Sequence, residues 1–268
     1  MPAAYAHHIF GEACIQTMPP KFRKACLAHR EEFNFGVHGP DIFFYYDPLK
    51  KNKVNTFGSS MHFRSGKAFF RDTREPFQRL DDKGAMMAYL LGFLAHFALD
   101  SSCHGYINRL TEESGLSHNY IESQYEAYLM RKDGLDPLLV DRSETLFPGK
   151  KTAAILARFF PLSAKEVKKA TDGQKHVLHL LFSPNEKKKV ALRKIIDRLQ
   201  ISGDFGDLFL DYEEDIRCAE SNDRIYKMQK QALELYPVLM KNYVNFLYAH
   251  EELNEAFDLN FEGERIDE

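Results

Sequence analysis

Within GFLAHFALDSSCHGYI, His96, Asp100 and His104 stand at i, i+4 and i+8, so a helix carries all three along one stripe. Fourteen residues after His104, SHNYIESQYE repeats the spacing with His118 and Glu122. Imidazole nitrogens and carboxylate oxygens converging on one place form a site for a divalent cation, which can activate water and polarise an ester. One histidine with an acid four residues on is weak evidence, because most such pairs are surface hydrogen bonds or satisfied core residues. HxxxDxxxH followed by HxxxE is specific, since chance composition seldom yields the combined string. Burial argues the same way. His96 and Asp100 sit in an otherwise apolar segment, where an unpartnered carboxylate costs on the order of several kcal/mol and a cation removes that cost.

These side chains need rigid supports, and helical periods dominate the chain. Apolar spacing predicts a helix over Asp81 to Tyr106 that is hydrophobic nearly all round, the pattern of a central buried element. The next helix starts after Gly115 with Ser117 as its cap and runs to about Arg131. Residues 1–35 read as a helix interrupted at Pro19-Pro20 and resumed through KFRKACLAHREEF. Asn34 to Gly66, with Gly36, Gly39-Pro40, Pro48 and Gly58, reads as a long functional loop anchored by Phe43-Phe44-Tyr45-Tyr46. Ala153 to Lys169, Pro184 to Leu199 and Glu213 to His250 read as amphipathic helices, and the acidic tail from Glu251 to Glu268 as a solvated or frayed terminus. The expected fold class is all-α, with a metal-binding region at 1–133 and a helical region at 134–268 that either stands apart or belongs to the same domain.

With 268 residues and 44% hydrophobic content the chain can bury a sizeable core. A net charge of −3, from 36 Lys+Arg against 39 Asp+Glu, gives no global attraction for nucleic acid or an anionic membrane. Phe43 to Tyr46 with Lys50, Lys51 and Lys53 make at most a small stacking groove, and packing and solvated charge are the better reading, so nucleic acid is not the expected partner. Cys14, Cys26, Cys103 and Cys218 show no CxxC spacing and read as reduced thiols. MPAAYAHHIF lacks the features of a secretory signal, and a cytoplasmic location is the expectation. Ala85 to Leu99 is shorter than a bilayer span and reads as a core helix rather than a transmembrane segment.

AHHIFGE, GVHGPDIFFYY, GSSMHF, AHFALDSSCH and SHNYIES resemble, in order, the successive ligand blocks of the zinc-dependent phospholipase C family, whose helical fold is shared with the P1 nucleases. The resemblance implies that His7, Asp41, His62, His96, Asp100, His104, His118 and Glu122 are metal ligands for two or three zinc ions. It places Asp41, His62, His96 and Asp100 at one ion and His104, His118 and Glu122 at another, with Asp100 bridging towards a third that His7 also holds. Asp41 also has a catalytic role in this scheme, orienting or deprotonating the attacking water. Secreted relatives complete the third site with their mature N-terminal amine; here Met1 precedes Pro2, only five residues before His7.

His8, His38 and Cys103 lie beside these positions and read as aromatic packing, a loop hydrogen bond and a buried thiol. His29, His176, His179 and His250 lie outside the blocks and are excluded. Glu12 and Glu126 are candidate outer carboxylates for the histidines, with a solvated helix face as the equal alternative. Two functional readings follow. One is a zinc-dependent phosphoric ester hydrolase acting on a phosphate-ester small molecule or a phospholipid head group. The other is a non-catalytic, metal-stabilised binding domain.

Overall fold

Runs of helix formers punctuated by Pro, Gly and Asn or Ser caps fold into twelve α-helices among the described residues of the computed structural model, 3–146, 149–199, 205–249 and 251–266. The helices are α1 (Ala4–Thr17), α2 (Pro20–Ala28), α3 (Arg30–Val37), α4 (Lys53–His62), α5 (Gly66–Asp72) and α6 (Arg74–Gln78), followed by α7 (Gly84–Ser114), α8 (His118–Lys132), α9 (Lys150–Leu156), α10 (Ala164–Leu181), α11 (Glu186–Arg198) and α12 (Ala219–Ala249). Only isolated bridges, such as Ser65 with Asn260, stand in for β-structure among them. The all-α expectation holds.

The axis of the molecule is α7. Every residue from Met86 to Asp100 is buried, and the helix ends at Gly115 in the left-handed region (φ 70°), whose N–H bonds the Thr111 carbonyl. It runs past the expected end at Tyr106 to Ser114. By length and composition α7 is able to cross a bilayer, but 94% of its most apolar window is buried within the protein, so it is a core helix. Its closest neighbour is α3. A Cβ at Gly92 would lie 2.2 Å from the Phe33 carbonyl oxygen, and one at Gly36 would lie 2.1 Å from that of Tyr89. Glycine at both positions lets the two backbones touch.

Three stretches differ from the sequence reading. Pro20 opens a new helix at its first position, and a further break at His29 separates α2 from α3. Asn34 to Gly66 is largely ordered: a 3-10 helix covers Gly39–Tyr45, and α4 is started by a capping box in which the Asn52 and Asn55 side chains serve each other's backbone N–H groups. The Asn-Asn form of the box and the dense breakers hide α4 from pattern reading. Ala153 to Lys169 divides into α9 and α10, the latter begun by a Ser163–Glu166 capping box.

The acidic tail is not frayed over its described residues. Phe257 and Phe261 are fully buried, the Phe261 N–H donates to the His62 carbonyl, and the Gly66 N–H donates to that of Leu259. One hydrophobic core joins residues from Ala3 to Phe261, including Leu156, Tyr236 and Tyr243 from the C-terminal part.

Candidate metal centre

His96, Asp100 and His104 project from one stripe of α7 and are all buried. Around them α1 brings His7, whose ring stacks on His96 with centroids 4.3 Å apart. The Gly39–Tyr45 turn brings Asp41, and Gly39 makes this approach possible. It has φ +51°, and a Cβ there would lie 2.3 Å from the His96 ring. α4 supplies His62 at its last position, and α8 supplies His118 and Glu122 from its first turns, started by the Ser117 hydroxyl accepting the Tyr120 N–H. All eight sequence-derived candidates therefore meet in one region.

Three groups within it place nitrogen and oxygen atoms close enough to share an ion: His7, His96 and Asp100; Asp41, His62 and His96; and His104, His118 and Glu122. Asp100 joins them. Its Oδ1 lies 3.2 Å from His7 Nε2 and 3.4 Å from His104 Nε2, while its Oδ2 lies 2.9 Å from His96 Nε2. Glu122 Oε1 is 3.4 Å from His104 Nε2 and 3.3 Å from His118 Nε2.

The outer hydrogen bonds decide which ring nitrogen is free. His62 Nδ1 faces the Gly58 carbonyl at 2.9 Å, and His96 Nδ1 faces the Val37 carbonyl at 3.2 Å. A carbonyl only accepts, so both rings carry their proton on Nδ1 and present Nε2 inward. For His118, Nδ1 lies 3.0 Å from Asn108 Oδ1, and the amide's orientation is fixed because its Nδ2 donates to Glu262 at 2.7 Å. In each case the inward Nε2 lone pair points at a carboxylate oxygen: His62 at Asp41 (2.9 Å), His96 at Asp100 and His118 at Glu122. Two electron pairs at such distances repel unless a proton or a cation lies between them. His96 Nε2 and Asp100 Oδ2 are buried and form no hydrogen bond, and His118 Nε2 likewise has no hydrogen-bond partner. Histidines locked at Nδ1 and converging through Nε2 on carboxylates are a donor set that fits zinc.

The electrostatics agree. Burial alone would raise the Asp100 carboxyl, but His104, His96 and His7 hold it well below the usual carboxylate range. Burial alone would lower His104, but Asp100 and Glu122 raise it to about 9. Asp100 therefore stays ionised among the ring nitrogens.

A family model described as zinc-dependent phospholipase C matches residues 6–173, more than half of the chain. The chain belongs to the zinc-dependent phospholipase C family. No curated protein and no solved structure matches it. The family match extends past residue 133, the expected boundary between the N-terminal and C-terminal regions, to within α10.

The outer carboxylates differ from expectation. Glu12 pairs with Arg30, and Glu126 binds Arg142 Nη1 at 2.6 Å and accepts from the Tyr5 N–H. Neither reaches a ligand histidine; Glu126 ties α1 to α8 instead. Glu262 takes the outer role. It accepts from Asn108, which orients His118, and its Oε2 lies 3.8 Å from His104 Nδ1. Glu262 stands far from every histidine block in sequence, and the one local signal is Phe257 and Phe261 at helical spacing inside the tail. His38 is buried with its Nε2 lacking a hydrogen-bond partner, and its neutral form is favoured by burial and by His7 and His8 nearby. His8 is lowered to about 4 by burial and by Arg30. Cys103 is a buried thiol, raised by burial and by Asp100. Met1, Pro2 and His250 lie outside the described residues.

His7, Asp100, His104 and Glu122 line a small pocket of their own, and a separate cavity of about 400 Å³ is lined by Phe44, Tyr45, Lys51, Ser59, Phe205 and Leu208, among others. Phe44, a lining residue of this cavity, has its ring 5.3 Å from that of His62.

Proposed function

We propose that the protein is a phosphoester hydrolase whose eight converging residues hold two or three zinc ions. The observation that carries this reading is the set of buried Nε2 lone pairs aimed at carboxylates, an arrangement that calls for cations. When bound, the ions lower the pKa of water and neutralise charge on the phosphate in an in-line displacement. Asp41, whose Oδ1 lies 2.9 Å from His62 Nε2, orients the attacking water. Asp100 spans the His7, His96 and His104 nitrogens and keeps the groups in register. His118, a quarter exposed at its side chain, marks the side from which the leaving alcohol departs. The cavity on the Phe44 side, where Lys51, Asn55, Thr56 and Ser59 stand among aromatic side chains, receives the rest of a phosphate ester such as a phospholipid head group.

The test is metal analysis with a panel of phosphodiesters that includes a soluble nitrophenyl ester. Chelation should abolish turnover and zinc should restore it. Asp100→Asn keeps the side-chain shape but removes the charge, so activity should fall by at least about a hundredfold with the helical signal retained. A chain that binds zinc and melts higher with it, yet hydrolyses no ester in the panel, would be a metal-stabilised binding domain instead.

A further inference from the structure

The α11 helix lies outside the family match and is held by one narrow face. Ile196 is buried and Leu192 half-buried against Phe205, Leu208 and Phe209, and the buried Lys189 donates to the Leu210 carbonyl. Beside that face a second stripe carries apolar residues into solvent: Ile195 is 55% exposed and Leu199, which caps the helix, 56%. At about 100° per residue these two share a stripe with Ala191, and Lys187, Lys194 and Arg198 run along its solvent edge, opposite the buried face. Six Lys and Arg stand against two acids in α11, in a chain whose overall charge is −3. A contiguous apolar stripe edged by bases is the composition of a helix that lies in a lipid interface.

Its position adds a second, independent observation. Phe205 and Leu208, on which α11 rests, also line the cavity beside the candidate centre. Across that cavity, Leu49 is 61% exposed within Pro48-Leu49-Lys50-Lys51, and Lys51 is a lining residue. Both rims therefore offer an apolar side chain among cations.

We propose that α11, with Leu49 opposite, docks the protein on an anionic phospholipid surface. Ile195 and Leu199 enter the interface, and Lys187, Lys194 and Arg198 meet lipid phosphates. Charge favours this occupant over a second copy of the chain, since pairing two α11 stripes would bring like charges together. The choice of lipid rests on the phosphoester hydrolase reading above.

The experiment uses the full zinc-loaded chain and co-sedimentation with vesicles of phosphatidylcholine alone or with phosphatidylserine. Binding should require phosphatidylserine and weaken with salt. The charge-reversal variant K187E/K194E/R198E should bind on the order of a hundredfold more weakly, and I195D/L199D should also lose binding. Both should melt like wild type and keep turnover of the soluble nitrophenyl ester. Absence of wild-type binding, or binding that both variants retain, overturns the proposal, as does a dimer that I195D/L199D dissociates. Vesicle binding without hydrolysis of any ester would leave docking standing and sink the enzymatic reading; hydrolysis of the soluble ester without vesicle binding does the reverse.

Discussion

At the scale of single residues, the centre depends on ring nitrogens that are oriented from outside. Val37 and Gly58 carbonyls set His96 and His62, and the Glu262–Asn108 pair sets His118 while approaching His104. Outer partners of this kind typically change metal affinity by about 10–100-fold. Glu262→Ala should therefore weaken zinc at the His104, His118 and Glu122 group by that factor, read by chelator competition, with the Asp41 and His62 group unaffected. Asn108→Ala should reproduce the loss, and equal affinity in both variants and wild type would remove Glu262 from the centre. His96, Asp100, His104, His118 and Glu122 are legible in sequence because i, i+4 spacing on a helix reports proximity directly, whereas His7, Asp41 and His62 are found only through the resemblance of their blocks to the family. Glu262 is not, because its nearness to His118 arises from a chain reversal at Asn260, whose side chain accepts the Glu262 and Glu264 N–H groups. No periodicity encodes such a return.

Among the elements, α3 and α7 set the spacing on which the rest depends. Gly36 and Gly92 let these helices meet backbone to backbone, and the turn after α3 then lays Asp41 beside the His96 ring through Gly39. Gly92→Ala must push the helices apart. A loss of about 1–3 kcal/mol is expected from such overpacking, measured by denaturant unfolding, together with weaker zinc binding. Gly105→Ala, at a glycine with room for a Cβ, is the control and should change neither. The long helices α7 and α8 and the Ser117 cap are readable from apolar period and cap chemistry. The α4 helix is not, because breakers surround it and its polar face outweighs the buried Val54, Gly58, Met61 and His62. Its existence matters for function, since it fixes His62 on a rigid element where the pattern of breakers reads as a loop.

For the molecule as a whole, the core and the centre are one structure. Phe261 is fully buried and its ring approaches those of His62, His96, Phe93 and Phe97 at 5.2–5.8 Å. Phe261→Ala should cost about 3–5 kcal/mol in unfolding free energy and reduce zinc retention in the same protein. Metal removal should in turn lower the melting temperature markedly, because buried carboxylates and imidazoles lose the charge that compensates them. An unchanged melting curve after verified removal would mean that the cluster is stable as a hydrogen-bonded network alone. The span of the centre along the chain has a consequence for how the protein is made. His7 is synthesised long before the last part of the centre, and Phe261 and Glu262 follow the rest of the centre by well over a hundred residues. Synthesis runs from the N-terminus at about 5–20 residues per second, so the histidines wait many seconds without their last packing and outer partners. Full-strength zinc loading therefore follows passage of residue 262 out of the ribosome, and a stalled chain arrested short of it would exchange its metal quickly.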